Sequence, residues 1–126
     1  MFNWEDYLNL AKELYNSADS DEAKLRSAIS RAYYAVFCIA RKKTGIMTRK
    51  STDHKKVADY FKRDKRTQKI YENLRRLRND RNRADYDDVF PNLRRQAEKA
   101  LKIAEQTLSL LKRSFDDYLD KKRRKE

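Results

Sequence analysis

The spacing of apolar residues along the chain predicts helices throughout. Apolar positions recur every three or four residues in five stretches, the period of a helix with one buried face. The predicted helices cover approximately residues 3–17, 20–44, 52–62, 67–86 and 91–120. Between Ala28 and Ala40 the second is apolar or aromatic on nearly every side, so we expect it to be the central helix.

Capping residues and helix breakers set the predicted boundaries. Asn3 is predicted to cap the first helix, and Asp19 or Ser20 the second. Gly45, the only glycine, should follow the end of the second helix, and Pro91, the only proline, should lie in the first turn of the last. Because glycine and proline are so scarce, long helices with short connections are favoured over β structure. We therefore predict an all-α fold, an up-and-down bundle of four or five helices.

The length of 126 residues suits one domain, which we place at residues 1–120. A basic tail at 121–126 should be disordered. No apolar run approaches the roughly 18 residues that span a bilayer, and no signal peptide begins the chain, so we expect no membrane contact. The lone Cys38 lies in an apolar run and is predicted to be a core residue. One cysteine fits a reducing compartment, so we expect a cytoplasmic protein.

The positive charge is concentrated in the middle of the chain. From Arg41 to Arg83 there are 17 Lys and Arg residues against 5 Asp and Glu, which accounts for the whole net charge of +12. This concentration is typical of a surface that binds a polyanion and favours nucleic acid as the partner. An acidic protein partner, or a proteome generally rich in lysine and arginine, would give the same pattern.

Four polar residues share one face of the predicted fourth helix: Arg78, Arg81, Asn82 and Asp85. Guanidinium and amide groups fit phosphate oxygens, so this stripe predicts a phosphate site. A solvated helix face with ion pairs between successive turns is the alternative. Four further cations are candidates for nucleic-acid contacts: Arg75, Arg83, Lys55 and Lys56.

The chain lacks the residues that most classes of catalytic site require. With one cysteine and one histidine there is no conventional zinc site, and with one glycine there is no glycine-rich phosphate loop. We therefore predict no metal and no cofactor. His54 lies among cations, which disfavour the imidazolium and leave a neutral acceptor or base, although a capping or packing role competes with this interpretation. Tyr33 and Tyr34 point about 100° apart, so one ring should enter the core while the other meets a neighbouring helix or subunit.

Three segments, in this order, resemble the small stand-alone HEPN proteins of bacteria and archaea. They are Arg31-Ala-Tyr-Tyr-Ala-Val-Phe37, His54-Lys-Lys-Val57 and a helix that ends in Ala84-Asp-Tyr86. The resemblance covers approximately residues 5–115. It implies an all-α bundle that forms a homodimer, with the motif helices of two subunits facing each other across a cleft. It also implies a metal-independent endoribonuclease of toxin or defence type, often paired with a nucleotidyltransferase antitoxin.

The ribonuclease motif of that family runs from arginine and a polar residue to a histidine, commonly followed by x-Tyr. Arg78 and Asn79 match its start and Tyr86 matches the tyrosine, but Ala84 stands where the histidine is expected. By this resemblance Arg78 would stabilise charge on a phosphate and Asn79 would orient one of its oxygens. The acid–base role would fall to one of three other residues: His54, Asp85 or Tyr86.

Three functions follow as alternatives. The first is an RNA-cleaving HEPN protein, and the second is a non-catalytic HEPN module that binds nucleic acid, a nucleotide or a nucleotidyltransferase. Ala84 at the histidine position favours the second. The third is a helical interaction protein whose basic region meets an acidic partner.

Overall fold

All five predicted helices are present in the structure, a computed structural model that describes residues 1–46 and 49–125, with side chains up to residue 113. In chain order they are α1 (Glu5–Asn16), α2 (Glu22–Thr44), α3 (Asp53–Tyr60), α4 (Gln68–Tyr86) and α5 (Leu93–Lys125). The described part of the chain contains no strand, so the predicted all-α helical fold is confirmed. None of its helices is both long and apolar enough to cross a membrane.

The central position of α2 is also confirmed, because α2 packs against each of the other four helices. Small residues at Ala28, Ala32 and Ala35 are completely buried and let the neighbouring helices approach closely. Ile29 and Val36 fill the remaining space and are also completely buried. Cys38 is buried in the same core, as predicted.

Most of the predicted helix ends are correct, with three small differences. The N-cap position of α1 is Trp4 rather than the predicted Asn3, although Oδ1 of Asn3 accepts the backbone N–H of Glu5 at 3.1 Å. Gly45 follows α2 in a left-handed conformation with φ of 71°, as predicted. The prediction of Asp19 or Ser20 as the cap of α2 is wrong. Asp21 caps this helix, since its Oδ1 accepts the N–H of Lys24 at 3.2 Å.

The last helix begins later than predicted. α5 starts at Leu93, so Pro91 lies just before the helix rather than in its first turn. Asn92 takes a left-handed φ of 55°, and its carbonyl accepts the N–H of Gln96. The predicted basic tail at 121–126 lies outside the residues whose side chains are described, and it stays a prediction.

A single arginine holds the C-terminal end of α4 against α2. The guanidinium of Arg26 donates to the backbone carbonyls of Ala84 at 2.9 Å, Asp87 at 2.6 Å and Asp88 at 3.2 Å. The last carbonyls of a helix have no partner within the helix, and a cation there also meets the negative end of the helix dipole. Arg26 therefore fixes where α4 ends and how its last turn faces α2.

Candidate phosphate-binding site between α3 and α4

A cavity of about 380 Å³ lies between α3 and α4, with Tyr33 of α2 in its wall. This size is within the range of small-ligand sites. Six of the residues predicted as site residues line it: Arg78, Asn79, His54, Arg75, Asn82 and Lys55. The cavity therefore combines three cations, two amides and one imidazole with one carboxylate, that of Asp59, in a single concave surface.

Arg78 is half-buried in this wall and is only partly hydrogen-bonded. One terminal nitrogen donates to the carbonyl of Ser51 at 3.4 Å. Its Nε is buried and has no partner among the described residues. Buried donors in proteins are nearly always paired, so an incompletely satisfied guanidinium beside a cavity is well suited to bind an anion.

Aromatic rings surround His54 on α3. Its imidazole stacks on Phe37 with ring centroids 4.1 Å apart, and its Nδ1 lies 2.5 Å from the hydroxyl of Tyr33. Burial is the largest cause that lowers the pKa of His54 to about 4, and the charges of Arg78 and Arg81 contribute to the same shift. This direction agrees with the neutral imidazole predicted from the nearby cations, although burial is the larger cause.

Tyr33 fixes the orientation of this imidazole. Burial raises the pKa of Tyr33 far above its usual range, so the hydroxyl keeps its proton. The only hydrogen-bond partner of that hydroxyl in the described part of the chain is Nδ1 of His54. When the hydroxyl donates, the imidazole carries its proton on Nε2; when Nδ1–H donates instead, Nε2 is a free acceptor. The first arrangement satisfies the hydroxyl proton and is the one we expect in the free protein.

Arg81 and Asp85, both on the predicted polar stripe, lie outside the cavity. Arg81 is only 8% exposed, and its guanidinium carbon lies 5.4 Å from the ring centroid of Tyr34 and 6.0 Å from that of Tyr86. The Oδ2 atom of Asp85 lies 3.6 Å from Arg81 and 3.4 Å from the hydroxyl of Ser30. Arg81 therefore braces an aromatic cluster instead of facing solvent. The half-buried Tyr34 beside the buried Tyr33 agrees with the predicted divergence of the two rings.

The remaining three predicted residues also lie away from the cavity. Arg83 pairs with Asp87 at 3.5 Å, and Lys56 pairs with Asp53 at 3.3 Å. Tyr86 is 75% exposed at the end of α4. Sequence spacing identified the cations but not which of them already have a carboxylate partner.

Asp53 holds the turn before α3 and so positions His54. Its Oδ2 accepts the backbone N–H groups of Arg49 and Lys50, both at 2.8 Å. These two hydrogen bonds lower the pKa of Asp53 to about 2, with a further contribution from Lys56. In the described part of the chain, no three His, Cys, Asp or Glu side chains are close enough together to hold a metal ion.

Two functional candidates were not identified from the sequence. Tyr33 was predicted only to pack, because the contact with His54 joins residues 21 positions apart in the chain. Asp80 is 7% exposed and faces away from the cavity; burial raises its pKa, and its Oδ2 has no partner among the described residues. The signal for Asp80 in the sequence was its place between Leu77 and Ala84, two apolar positions of the same helix.

Fold and site together define an all-α protein with a basic cavity between two helices. The family model of the HEPN domain matches residues 4–114, so the chain belongs to the HEPN family. Neither a curated protein nor a solved structure matches the chain. The resemblance seen in the sequence is therefore confirmed at the level of the family.

The structure also shows what occupies the position where the resemblance expects the motif histidine. Ala84 is only 3% exposed, in the core rather than in the cavity. Its carbonyl accepts a hydrogen bond from Arg26. The imidazole that accompanies Arg78 and Asn79 comes instead from His54 on α3.

Proposed function

We propose that this chain binds RNA through the cavity between α3 and α4 and acts there as a metal-independent endoribonuclease. The observation that carries the proposal is that His54 shares this cavity with Arg78 and Asn79. These groups supply a cation and an amide that can hold a phosphate and an imidazole that can transfer a proton. The concentration of positive charge between Arg41 and Arg83 supports RNA as the polyanion.

Arg78 is the phosphate ligand in this proposal. A guanidinium offers two parallel donors to a phosphate, and Nε of Arg78 has no other partner in the described structure. Arg75 and Lys55 line the same cavity and add positive charge to it. Asn79 and Asn82 contribute amide donors to the phosphate or to the ribose.

His54 is the acid–base residue in this proposal. When Tyr33 accepts a hydrogen bond from Nδ1, the free Nε2 takes the proton of the 2′-hydroxyl. The 2′ oxygen then forms a bond to phosphorus, and the bond to the 5′ oxygen breaks as that oxygen takes up a proton from solvent water. The imidazolium gives its proton to the hydroxide left behind, and the products are a 2′,3′-cyclic phosphate and a 5′-hydroxyl. Arg78 stabilises the charge that develops on the phosphate oxygens. Asp85 and Tyr86 lie outside the cavity, so they are weaker candidates for this step than His54.

A second function, RNA binding without cleavage, is favoured by the arrangement we expect for His54 in the free protein. When Tyr33 donates to Nδ1, Nε2 carries a proton and donates to a phosphate oxygen instead of accepting a proton. The absence of a histidine at position 84 points the same way. Both functions use the same cavity, and they differ only in turnover.

Incubation with total RNA in EDTA, followed by a denaturing gel, separates the two functions. We expect the wild type to cleave RNA and Arg78→Ala and His54→Ala to leave it intact, with circular dichroism confirming that both variants fold. Arg95→Ala is the matched control, since Arg95 is an exposed arginine on α5 away from the cavity. RNA that stays intact with the wild type would refute the ribonuclease.

Binding is measured in parallel by fluorescence anisotropy over a series of salt concentrations. The affinity should fall as salt rises, and Arg78→Ala should reduce the slope of log K against log salt by about one phosphate contact. Salt-dependent binding of intact RNA would support the non-catalytic module. Failure to bind RNA at low salt would refute both functions.

Homodimerisation and pairing with a nucleotidyltransferase antitoxin, in a toxin–antitoxin or defence role in the cytoplasm, are further parts of the proposal that rest on family resemblance. Sedimentation equilibrium of the purified chain tests the homodimer, because a monomer at all accessible concentrations would refute it. Co-expression with a nucleotidyltransferase encoded beside its gene tests the pairing.

A further inference from the structure

Asp59 is the one carboxylate among the described residues that line the cavity between α3 and α4. Its side chain is half-buried and has no hydrogen bond or ion pair with another described residue. Lys55 lies one helical turn before it, at the spacing of a helix ion pair, yet the two side chains are not paired. A free carboxylate repels phosphate, so the part of a ligand that meets Asp59 must carry hydrogen-bond donors.

Asp59 lies at the opposite end of the cavity from Arg78. It belongs to the last turn of α3, and Tyr71 belongs to the first turn of α4, so both lie beside the segment 61–67 that connects the two helices. At 1.5 Å per residue, Asp59 is about 7.5 Å from His54 along the axis of α3. A phosphate bound at Arg78 therefore leaves space in the cavity for the base of an adjacent nucleotide.

Arg75 supplies an oriented guanidinium near the same end. One of its terminal nitrogens donates to the hydroxyl of Tyr71 at 3.1 Å, and its guanidinium carbon lies 5.6 Å from the centroid of the Tyr71 ring. This side chain is exposed, but these two contacts hold it in the cavity wall. Arg75 and Asp59 form no ion pair with each other, so both charges are available to a ligand that lies between them.

Guanine is the base whose edges fit a guanidinium and a carboxylate together. Its N1–H and N2–H donors lie side by side and match the two oxygens of a carboxylate, while its O6 and N7 accept two hydrogen bonds from a guanidinium. Adenine and cytosine each place a ring acceptor beside a single amino donor, and that acceptor would face the carboxylate. Uracil offers one donor between two carbonyl oxygens.

We propose that Asp59 is a specificity-determining residue that selects a guanine base next to the phosphate held by Arg78, with Arg75 on the O6 and N7 edge of that base. The proposal rests on the RNA site of the proposed function and names the base that this site prefers. A free guanine nucleotide carries the same base and phosphate. RNA is favoured as the source because the positive charge between Arg41 and Arg83 exceeds what one nucleotide would neutralise.

The test uses a short 2′-O-methyl oligoadenylate and the same strand with guanosine, inosine, cytidine or uridine at one central position. The methyl group blocks the 2′-hydroxyl, so binding is measured without cleavage. Dissociation constants are determined by fluorescence anisotropy at one low salt concentration for the wild type, Asp59→Asn and Arg78→Ala. Asp88→Asn is the matched control, because Asp88 is an exposed aspartate that does not line the cavity.

We expect the wild type to bind the guanosine strand about 5- to 150-fold more tightly than the all-adenosine strand, the range for one bidentate base contact. Inosine lacks the N2 amino group and should give an intermediate affinity, which tests the donor pattern without any substitution in the protein. Asp59→Asn should abolish the preference, because an amide cannot accept from both donors. The same variant removes a negative charge and should bind the all-adenosine strand more tightly. Asp88→Asn should keep the preference of the wild type, and Arg78→Ala should weaken the binding of every strand.

Equal affinity of the wild type for all strands, or a change by the same factor for all strands in Asp59→Asn, would overturn the selection of guanine. If Arg78→Ala weakens every strand in that case, the RNA site itself stands. A wild type that binds no strand would refute the RNA site and the selection of guanine together. Displacement of the guanosine strand by an equal concentration of guanosine 5′-monophosphate would assign the base contact to a free nucleotide and overturn its role in RNA recognition.

Discussion

The hydroxyl of Tyr33 on α2 lies 2.5 Å from Nδ1 of His54 on α3, and this contact orients the imidazole beside Arg78 and is coupled to its tautomer. Both groups are neutral at pH 7, since burial raises the pKa of Tyr33 and lowers that of His54 to about 4. The pair therefore places a neutral, oriented imidazole next to a guanidinium whose hydrogen bond, among the described residues, goes to the carbonyl of Ser51 and not to a carboxylate.

The pKa of His54 is directly measurable, because it is the only histidine of the chain. A proton NMR titration should show one imidazole C2 resonance that titrates near pH 4, well below the usual value of about 6.5. A titration midpoint near 6.5 would show that the imidazole is hydrated and would contradict the packing on Phe37 described above.

The same shift makes the free energy of unfolding depend on pH. The unfolded chain binds a proton at His54 below about pH 6.5, whereas the folded chain binds it only near pH 4. The contribution of the neutral His54 to the free energy of unfolding is therefore complete above about pH 6.5 and is lost as pH falls from 6.5 to 4. Denaturant unfolding across this range should show a steeper loss of stability for the wild type than for His54→Phe, which lacks the titrating group.

Tyr33→Phe removes the hydroxyl and keeps the ring. An O–H that donates to Nδ1 stabilises the neutral imidazole, so its loss should raise the pKa of His54. The free energy of unfolding should fall by about 1 kcal/mol, the typical value for one hydrogen bond. The NMR titration distinguishes this effect from a general loss of packing. Tyr34→Phe serves as the control, because Nδ1 of His54 is hydrogen-bonded to the hydroxyl of Tyr33 and the Tyr34 ring meets the imidazole edge-on. An unchanged midpoint in Tyr33→Phe would show that the hydroxyl does not donate.

The pKa shift of Asp80 makes stability depend on pH in the opposite direction to the shift of His54. Burial raises its pKa, so the folded chain binds this proton more tightly than the unfolded chain does, and stability is lost as pH rises through the folded value. Asp80→Asn removes the buried charge and should raise the melting temperature at pH 7, with a smaller difference at acidic pH. A lower melting temperature at pH 7 would instead mean that Arg76, Arg83 and Lys99 stabilise the carboxylate by more than its burial costs.

Arg26→Met tests the clamp on the end of α4. The substitution keeps an unbranched chain but removes the donors to Ala84, Asp87 and Asp88, so we expect a loss of about 1–3 kcal/mol in the free energy of unfolding. In Arg26→Met, backbone hydrogen exchange in the last turn of α4 should speed up relative to the wild type by more than exchange in the first turns of the same helix. Arg95→Met is the control for loss of an exposed arginine, and equal exchange in the two variants would contradict the clamp.

The helices could be predicted from the sequence because one buried face and a few capping residues determine each of them. Gly45 gives a clear boundary signal, and Asn3 lies one residue before the N-cap of α1. Asp19 and Ser20 compete with Asp21 for the cap of α2, and only the packed chain shows which side chain reaches Lys24. Burial of the α2 face followed from its composition alone.

The candidate site could be predicted only in part. Arg81 and Asn82 lie about 100° apart on the helix, on either side of the direction of Arg78. Tyrosines of α2 cover the side of Arg81, while Asn82 opens on the cavity, and periodicity does not reveal which side a neighbouring helix covers. The pairing of Tyr33 with His54 crosses the α2–α3 connection, so no local pattern identifies it.

The imidazole of this site is carried by a helix of only eight residues, Asp53–Tyr60. A helix of that length is not stable alone in water, and α3 is held by its contacts with α2 and α4 and by the turn at Asp53. If α3 detaches while the other helices stay packed, Arg78 keeps its place on α4 but the imidazole leaves. Local opening of one short segment would thus convert the proposed ribonuclease site into one that only holds a phosphate, at a free energy below that of global unfolding.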